Sequence, residues 1–287
     1  VSENVGGAGG GNGVILQAEL RDLDLGGTEG LVLNGVAPGR AETPNHASLQ
    51  ITTELDIRIQ LRPDDWTPAT AQSLVSKYLQ VAGGRSWRFM LEPTGQLRFR
   101  FSTDGTNTQS HLSTVAVPLP SVGSVVRGLR VTFDNDNGAA NRVTTFYYGP
   151  DIDGPWTMLG TPVTGTAIAG MHNSTSPVEI GSIDGGASEL FTGTIFAAEI
   201  YSGLGAPVLV ADPDFQAQAP GTANFVDSTG KTWTVTPPAV IAADPAVDTV
   251  LADPDFNAQA GDTVEFEDSL GNQWNVADGI CTVDRRL

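Results

Sequence analysis

The chain has 287 residues and one cysteine, Cys281, so no internal disulfide can form and the fold does not depend on an oxidising compartment. Histidine is almost as scarce. His46, His111 and His172 lie far apart, none in a metal-binding spacing such as HExxH, and His111 and His172 stand in polar stretches that read as loops. A catalytic base needs a convergent partner, and none of the three has one in the sequence. No GxSxG elbow occurs. No apolar run approaches the roughly 20 residues that cross a bilayer, and no basic-plus-apolar segment opens the chain, so neither membrane insertion nor a secretory leader is expected. Basic residues are few: 15 Lys and Arg against 33 Asp and Glu, a net charge of -18. Such a surface repels phosphates and disfavours nucleic acid and anionic membranes as partners. The imbalance is greatest after residue 208, where thirteen acids meet only Lys231, Arg285 and Arg286. Helical signals are missing too, since no 3.6-residue apolar stripe persists beyond about two turns.

What remains is a β composition: 40% hydrophobic residues, punctuated by 34 glycines and 18 prolines. Residues 1–30 form a Gly-rich arm (GGAGGGNG), which needs a neighbour to hold it. VILQAELRDLDL, at its end, fits either a strand pair or a short amphipathic segment. From residue 31 the period is two. LDIRIQLR places Leu55, Ile57, Ile59 and Leu61 on one face and Asp56, Arg58, Gln60 and Arg62 on the other. QLRFRF, LRVTF and RVTTFYY repeat the device, and GTIFAAEIYSG is apolar on both faces, as a doubly covered strand would be. EPTGQ, STDGT, DNDNG and DIDGP sit between these runs and supply tight turns. Many short strands at this spacing predict a sandwich or jelly roll.

ADPDFQAQA at residue 211 returns as ADPDFNAQA at residue 252. Residues 211–235 align with 252–276 without a gap and match at fifteen of twenty-five positions. Each copy reads as an apolar anchor (Phe215, Phe256) followed by a β-hairpin carrying Phe225 and Trp233, or Phe266 and Trp274. A lone hairpin is marginal in water, so each must pack on something. The proline-bearing PPAVIAADPAVD reads as a stiff connector. The predicted organisation is an arm (1–30), a sandwich closed by the first copy (31–241), and a linker with an acidic second copy (242–287).

Candidate chemistry is sparse. The carboxylate pairs Asp64–Asp65, Asp134/Asp136 and Asp151/Asp153 fall at turns beside Pro, Asn or Gly, where Asp is favoured for bonding its own backbone. DNDNG has the alternating oxygens of half a calcium loop but no distal Glu, which leaves calcium as the single cofactor candidate and a hairpin tip at Asn137–Gly138 as the competing explanation. Of the five tryptophans, Trp66 (DDWTP) and Trp156 (GPWTML) stand at loop–strand junctions and are the two candidates for a sugar platform, Trp156 with Asp151 and Asp153 beside it.

Several segments carry a resemblance. TPNHASLQITTELDIRIQLRPDDWTP, the lysine-bearing SLVSKYLQVAGGRSWRFMLEPTGQLRFRFSTDGT, RGLRVTFDNDNGAANRVTTFYYGPDIDGPWTMLG and ELFTGTIFAAEIYSG resemble concanavalin A-like, laminin-G-like jelly rolls. The D-F-x-x-Q-x-P-G…F-x-D-S-x-G-x-x-W phrase ending at Trp233 resembles the variant found in tailed phages of actinobacteria, the minor tail protein type. The resemblance spans residues 31–241 and implies a jelly roll. It also implies a non-enzymatic virion protein on the particle exterior, on head or tail, assembled in the host cytoplasm with other virion proteins and further copies of itself. Phe256, Phe266 and Trp274 are then the candidate subunit contacts. A module binding host-surface glycan is the alternative, and a glycoside hydrolase a third. The E-x-D-x-x-E strand of glucanase relatives is absent, so no catalytic residue carries over.

Overall fold

The alternation in LDIRIQLR becomes the middle of a sheet. The computed structural model describes residues 29–118 and 126–245, together with the backbone of three later strands. The first strands are β1 (Glu29–Asn34), β2 (Arg40–Thr43), β3 (Leu55–Pro63), β4 (Gln72–Tyr78), β5 (Arg85–Leu91), β6 (Leu97–Phe101) and β7 (Gln109–Leu112). Next come β8 (Arg127–Asp134), β9 (Asn141–Gly149), β10 (Thr157–Met158), β11 (Val163–Thr166), β12 (Val178–Ile180) and β13 (Thr192–Ser202). β14 (Val208–Ala211), β15 (Asn224–Val226), β16 (Thr232–Thr236) and β17 (Val240–Ala243) follow.

One sheet runs β10–β9–β8–β3–β13–β1–β17, with β11 also pairing β9 and β14 also pairing β13. The other runs β15–β16–β2–β12–β4–β5–β6–β7. Every pairing in both is antiparallel. The chain changes sheet repeatedly, as β1 to β2, β2 to β3 and β3 to β4 show. The protein is an all-β jelly-roll sandwich, the fold class expected from its sequence.

The inward residues make one core. Leu55, Ile57, Ile59 and Leu61 of β3 are fully buried, as are Trp87, Phe89 and Leu91 of β5 and Leu97, Phe99 and Phe101 of β6. Aromatic contacts join the two sheets: Phe133 of β8 lies 5.2 Å from Phe99 and 4.9 Å from Phe101, and Phe146 of β9 lies 6.5 Å from Phe89. Each such pair adds about 0.5–1.5 kcal/mol beyond area burial. DNDNG forms the β8–β9 hairpin turn, with Gly138 at φ 80°. Its carboxylate and amide oxygens accept backbone N–H groups two residues on, from Asp136, Gly138 and Ala139.

Three expectations need correction. Trp66 is no platform: it is 1% exposed and belongs to the core, where a large ring gains most. His111 is not in a loop but in β7, edge-on to Phe101 at 5.8 Å and bonded through Nδ1 to Thr144 Oγ1 at 2.8 Å. Burial, aided by the Arg142 charge, pushes its pKa down to about 4. The supposed connector after Val235 is half strand. β17 pairs with β1, and Asp244 just beyond it is wholly buried against Arg62 of β3, with Arg62 Nε–Asp244 Oδ2 at 2.8 Å and Thr194 Oγ1 donating to Asp244 Oδ1 at 2.9 Å. The hydrogen bond from Arg62 to Asp244 is the main cause holding the Arg62 pKa above its ordinary value.

The first repeat copy closes this sandwich. Phe215 is fully buried and meets Phe225 edge-on at 5.7 Å. β15 and β16 form a hairpin on the β2 edge. Its turn is knotted by Asp227, which accepts from the backbone N–H of Asp212, Thr229 and Lys231 and from Trp233 Nε1, each at 2.9 Å. Burial alone would raise the Asp227 carboxyl, but these donors outweigh it and hold its pKa below the usual range.

The chain divides into two compact units, residues 27–246 and residues 1–26 with 247–287. In the second, β18 (Glu265–Glu267), β19 (Gln273–Ala277) and β20 (Ile280–Asp284) form an antiparallel sheet in that order. Residues 1–28 of the predicted arm and Phe256 lie outside the described residues, and Glu29 and Gly30 at the arm's end belong to β1.

Candidate functional site

The outward face of the first sheet gathers the chemistry. Because successive side chains alternate, register alone aligns Glu199 (β13), Arg58 (β3), Arg130 (β8) and Tyr147 (β9) in one row, and Tyr201, Asp56 and Thr132 in the next. Like charges opposite each other, as Arg58 and Arg130 are, repel unless an anion lies between. Asp56 supplies it. Only 1% exposed, it takes a bidentate pair from Arg130 (both contacts 2.9 Å) and a third contact from Arg58 at 3.2 Å. Arg58 also reaches Glu199 at 3.4 Å, and Tyr201 Oη donates to Glu199 Oε2 at 2.9 Å.

The guanidinium groups are framed by rings. Arg58 lies 4.4 Å from the Tyr201 ring centre, and Arg130 lies 5.0 Å from that of Tyr147 and 5.9 Å from that of Trp156. These are cation–π distances. Burial, then the hydrogen bond to Glu199, pushes the Tyr201 hydroxyl up to about 12, so it stays a donor. Burial also raises the Glu199 carboxyl, with Tyr201 and Arg58 opposing and the charges of Asp212 and Asp153 adding to it.

The segment after β9 lies over this face because two strand positions have no side chain. A Cβ on Gly128 would stand 1.8 Å from the Asp151 carbonyl oxygen and 3.1 Å from the Trp156 ring. One on Gly149 would stand 2.9 Å from the Pro155 carbonyl oxygen and 3.3 Å from the same ring. Glycine inside a strand often marks such a close approach. Trp156 therefore rests half-buried beside Arg130.

Of the residues singled out in the sequence, Trp156, Asp151 and Asp153 come together here, while Trp66 lies in the core. The Asp151 carboxylate turns back to accept from Asp153 N at 3.0 Å, so Asp153, exposed, is the freer acid. Phe266 and Trp274 are opposed in the β18–β19 register. Sequence reading missed Arg58, Arg130, Tyr147, Tyr201 and Glu199. The one available signal was a glycine inside each of two strand runs, LR preceded by Gly128 and YY followed by Gly149. Among the described residues no group of three or more His, Cys, Asp or Glu is placed to hold a metal ion.

No protein-family model matches the sequence, and no curated protein matches it. Solved structures do match. The carbohydrate-binding module of a Ruminococcus gnavus intramolecular trans-sialidase, bound to α2,3-sialyllactose, aligns over 62% of this chain and 94% of its own at 14% identity and TM-score 0.41. Mouse laminin α1 domains LG4-5 align over 68% of this chain and 50% of theirs, at 13% identity and TM-score 0.40. The enzymatically active domain of bacteriophage CBA120 tailspike protein 2 aligns over 61% of this chain and 25% of its own, at 13% identity and TM-score 0.39. The fold class rests on the two sheets described above.

Proposed function

We propose that the sandwich is a non-enzymatic recognition module that binds glycan on the Trp156–Tyr147–Arg130–Arg58–Tyr201 face. We propose that it is borne on the exterior of a tailed-phage particle and contributes there to contact with the host surface. The observation that carries the binding role is the half-buried Trp156 laid on Gly128 and Gly149 beside Arg130, which shares the Asp56 carboxylate with Arg58. Sugar rings present C–H faces to aromatics and hydroxyls to charged groups, and this surface offers both. The virion setting is supported by the residues shared with the phage minor tail type. A non-enzymatic role is supported by the carboxylates: Asp56 is taken up by two arginines, and Asp65, Asp134, Asp136 and Asp151 each accept a backbone N–H in their own turn.

Binding of the full chain to an array of bacterial-surface glycans is the test. Trp156→Ala is expected to weaken binding about tenfold or more, the size of one stacking contact. Gly128→Val, which displaces the Asp151 segment, should do the same. Absence of binding to any glycan, or binding indifferent to both changes, overturns the proposal.

A second reading, in which the terminal segments attach the protein to other virion subunits, is favoured by the folding of the second copy as a sheet within its own unit. Removal of residues 248–287 should then abolish incorporation into particles while leaving glycan binding intact. Incorporation at the normal level would rule this attachment role out.

A further inference from the structure

The donors of the Trp156 face are largely committed within the protein. Arg130 turns its Nε–Nη2 edge onto Asp56, both contacts at 2.9 Å, and the two terminal nitrogens of Arg58 reach Asp56 at 3.2 Å and Glu199 at 3.4 Å. The fork by which arginine grips a carboxylate or phosphate is therefore filled by the protein's own acids. The remaining Arg58 nitrogen, Nε, is sealed from solvent.

What stays open is of another kind. Asp153 is exposed and commits only its backbone N–H, to Asp151 Oδ1 at 3.0 Å, which leaves its carboxylate an unused acceptor among the described residues. Tyr147, half-buried beside Arg130, likewise has no partner for its hydroxyl among the described residues. An ionised carboxylate only accepts, so it takes hydroxyl donors and repels anions.

The charges around the face tilt the same way. The guanidinium groups of Arg58 and Arg130 stand against the carboxyl groups of Asp56, Glu199, Asp153 and Asp212. The crowding shows in the carboxyls themselves: burial raises Glu199, with Asp212 and Asp153 adding to it, and burial raises Asp212, with Asp227 and Asp214 adding. A further anion arriving here meets carboxylates in excess, on a chain whose net charge is already -18.

We infer that this face selects uncharged glycans: it holds neutral sugar units and turns away the same units carrying a carboxylate, sulfate or phosphate, and the exposed carboxylate of Asp153 sets that discrimination. The inference rests on the glycan reading above and adds the class of sugar to it. A neutral ring offers Asp153 hydroxyl donors, whereas an acidic substituent offers a second anion and finds the arginine fork occupied.

The test compares affinities on the full chain by titration calorimetry. Oligomers of glucose, galactose, mannose and N-acetylglucosamine are each paired with the same oligomer carrying a uronate, sulfate or phosphate group. A neutral member should bind, and its acidic partner about tenfold more weakly or worse. The gap should shrink as salt is raised, because exposed charges are screened. Asp153→Asn keeps the backbone N–H that closes the turn, and it should cut the gap about threefold or more by strengthening the acidic members. Asp136→Asn removes the same charge in the β8–β9 turn, beyond the far end of β8, and keeps an acceptor for Gly138 N; it should leave the gap unchanged. The inference is overturned if an acidic member binds as well as its neutral partner, if the gap ignores salt and Asp153→Asn, or if Asp136→Asn narrows it equally. Those results leave the platform standing wherever Trp156→Ala still weakens binding. If no member of either series binds, or Trp156→Ala changes nothing, platform and selectivity fall together.

Discussion

In both copies of the repeat the hairpin has one register: Phe225 faces Trp233 and Asn224 faces Thr234 in the first, while Phe266 faces Trp274 and Glu265 faces Asn275 in the second. Each pair is displaced by forty-one residues. After the hairpin the copies part. In the first, the next strand, β17, leaves its sheet and pairs with β1 in the other. In the second, β20 turns back onto β19, with Ala277 opposite Ile280. Between the strands the first copy has Pro237-Pro238 and the second has Asp278-Gly279. Proline has no N–H for a ladder and resists a two-residue hairpin, whereas Asp-Gly favours one. The position that places Asp244 on Arg62 in the first copy is Arg285 in the second. The hairpin is thus a common part, and the few residues after it decide whether it clamps two sheets together or closes on itself.

The sharpest way to break this contrast is to give the first copy the second copy's charge. Asp244→Arg sets a guanidinium against the buried Arg62, and a buried pair that loses one partner already costs about 3–5 kcal/mol. Loss of about 5 kcal/mol or more is expected, read as a large fall in the urea midpoint of the sandwich. An unchanged midpoint would mean β17 does not clamp the sheets.

Next in size is the tryptophan of each hairpin. Trp233 is fully buried, so Trp233→Ala should cost about 3–5 kcal/mol. Among the described residues, β18, β19 and β20 pair with one another in a sheet of their own. Trp274→Ala should therefore leave the sandwich midpoint within about 0.5 kcal/mol. Equal effects would show that the two units unfold as one.

Acid should separate them as well. All three histidines lie in the sandwich unit, and His111 has a pKa pushed down to about 4 in the folded protein. The unfolded chain, with histidine near 6.5, binds the proton first, so stability falls as pH drops from about 6.5 to 4 and levels off below that on this account. The loss is roughly 3 kcal/mol at about 1.4 kcal/mol per pH unit. His111→Phe should flatten that part of the profile, and an unchanged slope would exclude His111 as its source.

The sheets were legible because burial on one face writes itself as period two: Leu55 to Leu61 and Leu97 to Phe101 are inward as their alternation demands. The hairpins were legible from the recurring DS-x-G turns. β17 was not, because four residues beside two prolines carry no pattern of their own and owe their strand to pairing with β1, more than 200 residues away in sequence. The Trp156 face was half legible. Trp156 announces itself at a loop junction, but Arg58, Arg130, Tyr147 and Tyr201 sit on four strands that only the register aligns. Trp66 occupied the same kind of junction and went inward, since junction residues face either way depending on what lies beneath.

The smallest change tests whether the hairpin turn itself is interchangeable. Thr229 Oγ1 lies 2.7 Å from Asp227 Oδ1 and 3.2 Å from the Val210 carbonyl, while its backbone N–H separately reaches Asp227 at 2.9 Å. The second copy has Leu270 there and keeps the same strand register. Thr229→Leu removes the hydroxyl and retains the backbone bond, so about 1 kcal/mol should be lost. With one donor fewer, the Asp227 carboxyl should titrate at higher pH than in the parent chain, because hydrogen bonds to the charged form are what hold it down. Carbon-detected NMR of Asp227 reads the pKa directly. A small stability loss with a raised Asp227 pKa makes the turn a shared part with local trim. A loss beyond about 3 kcal/mol would make Thr229 specific to the first copy's place at the sheet edge, since the second copy's turn then works only where β18 and β19 stand.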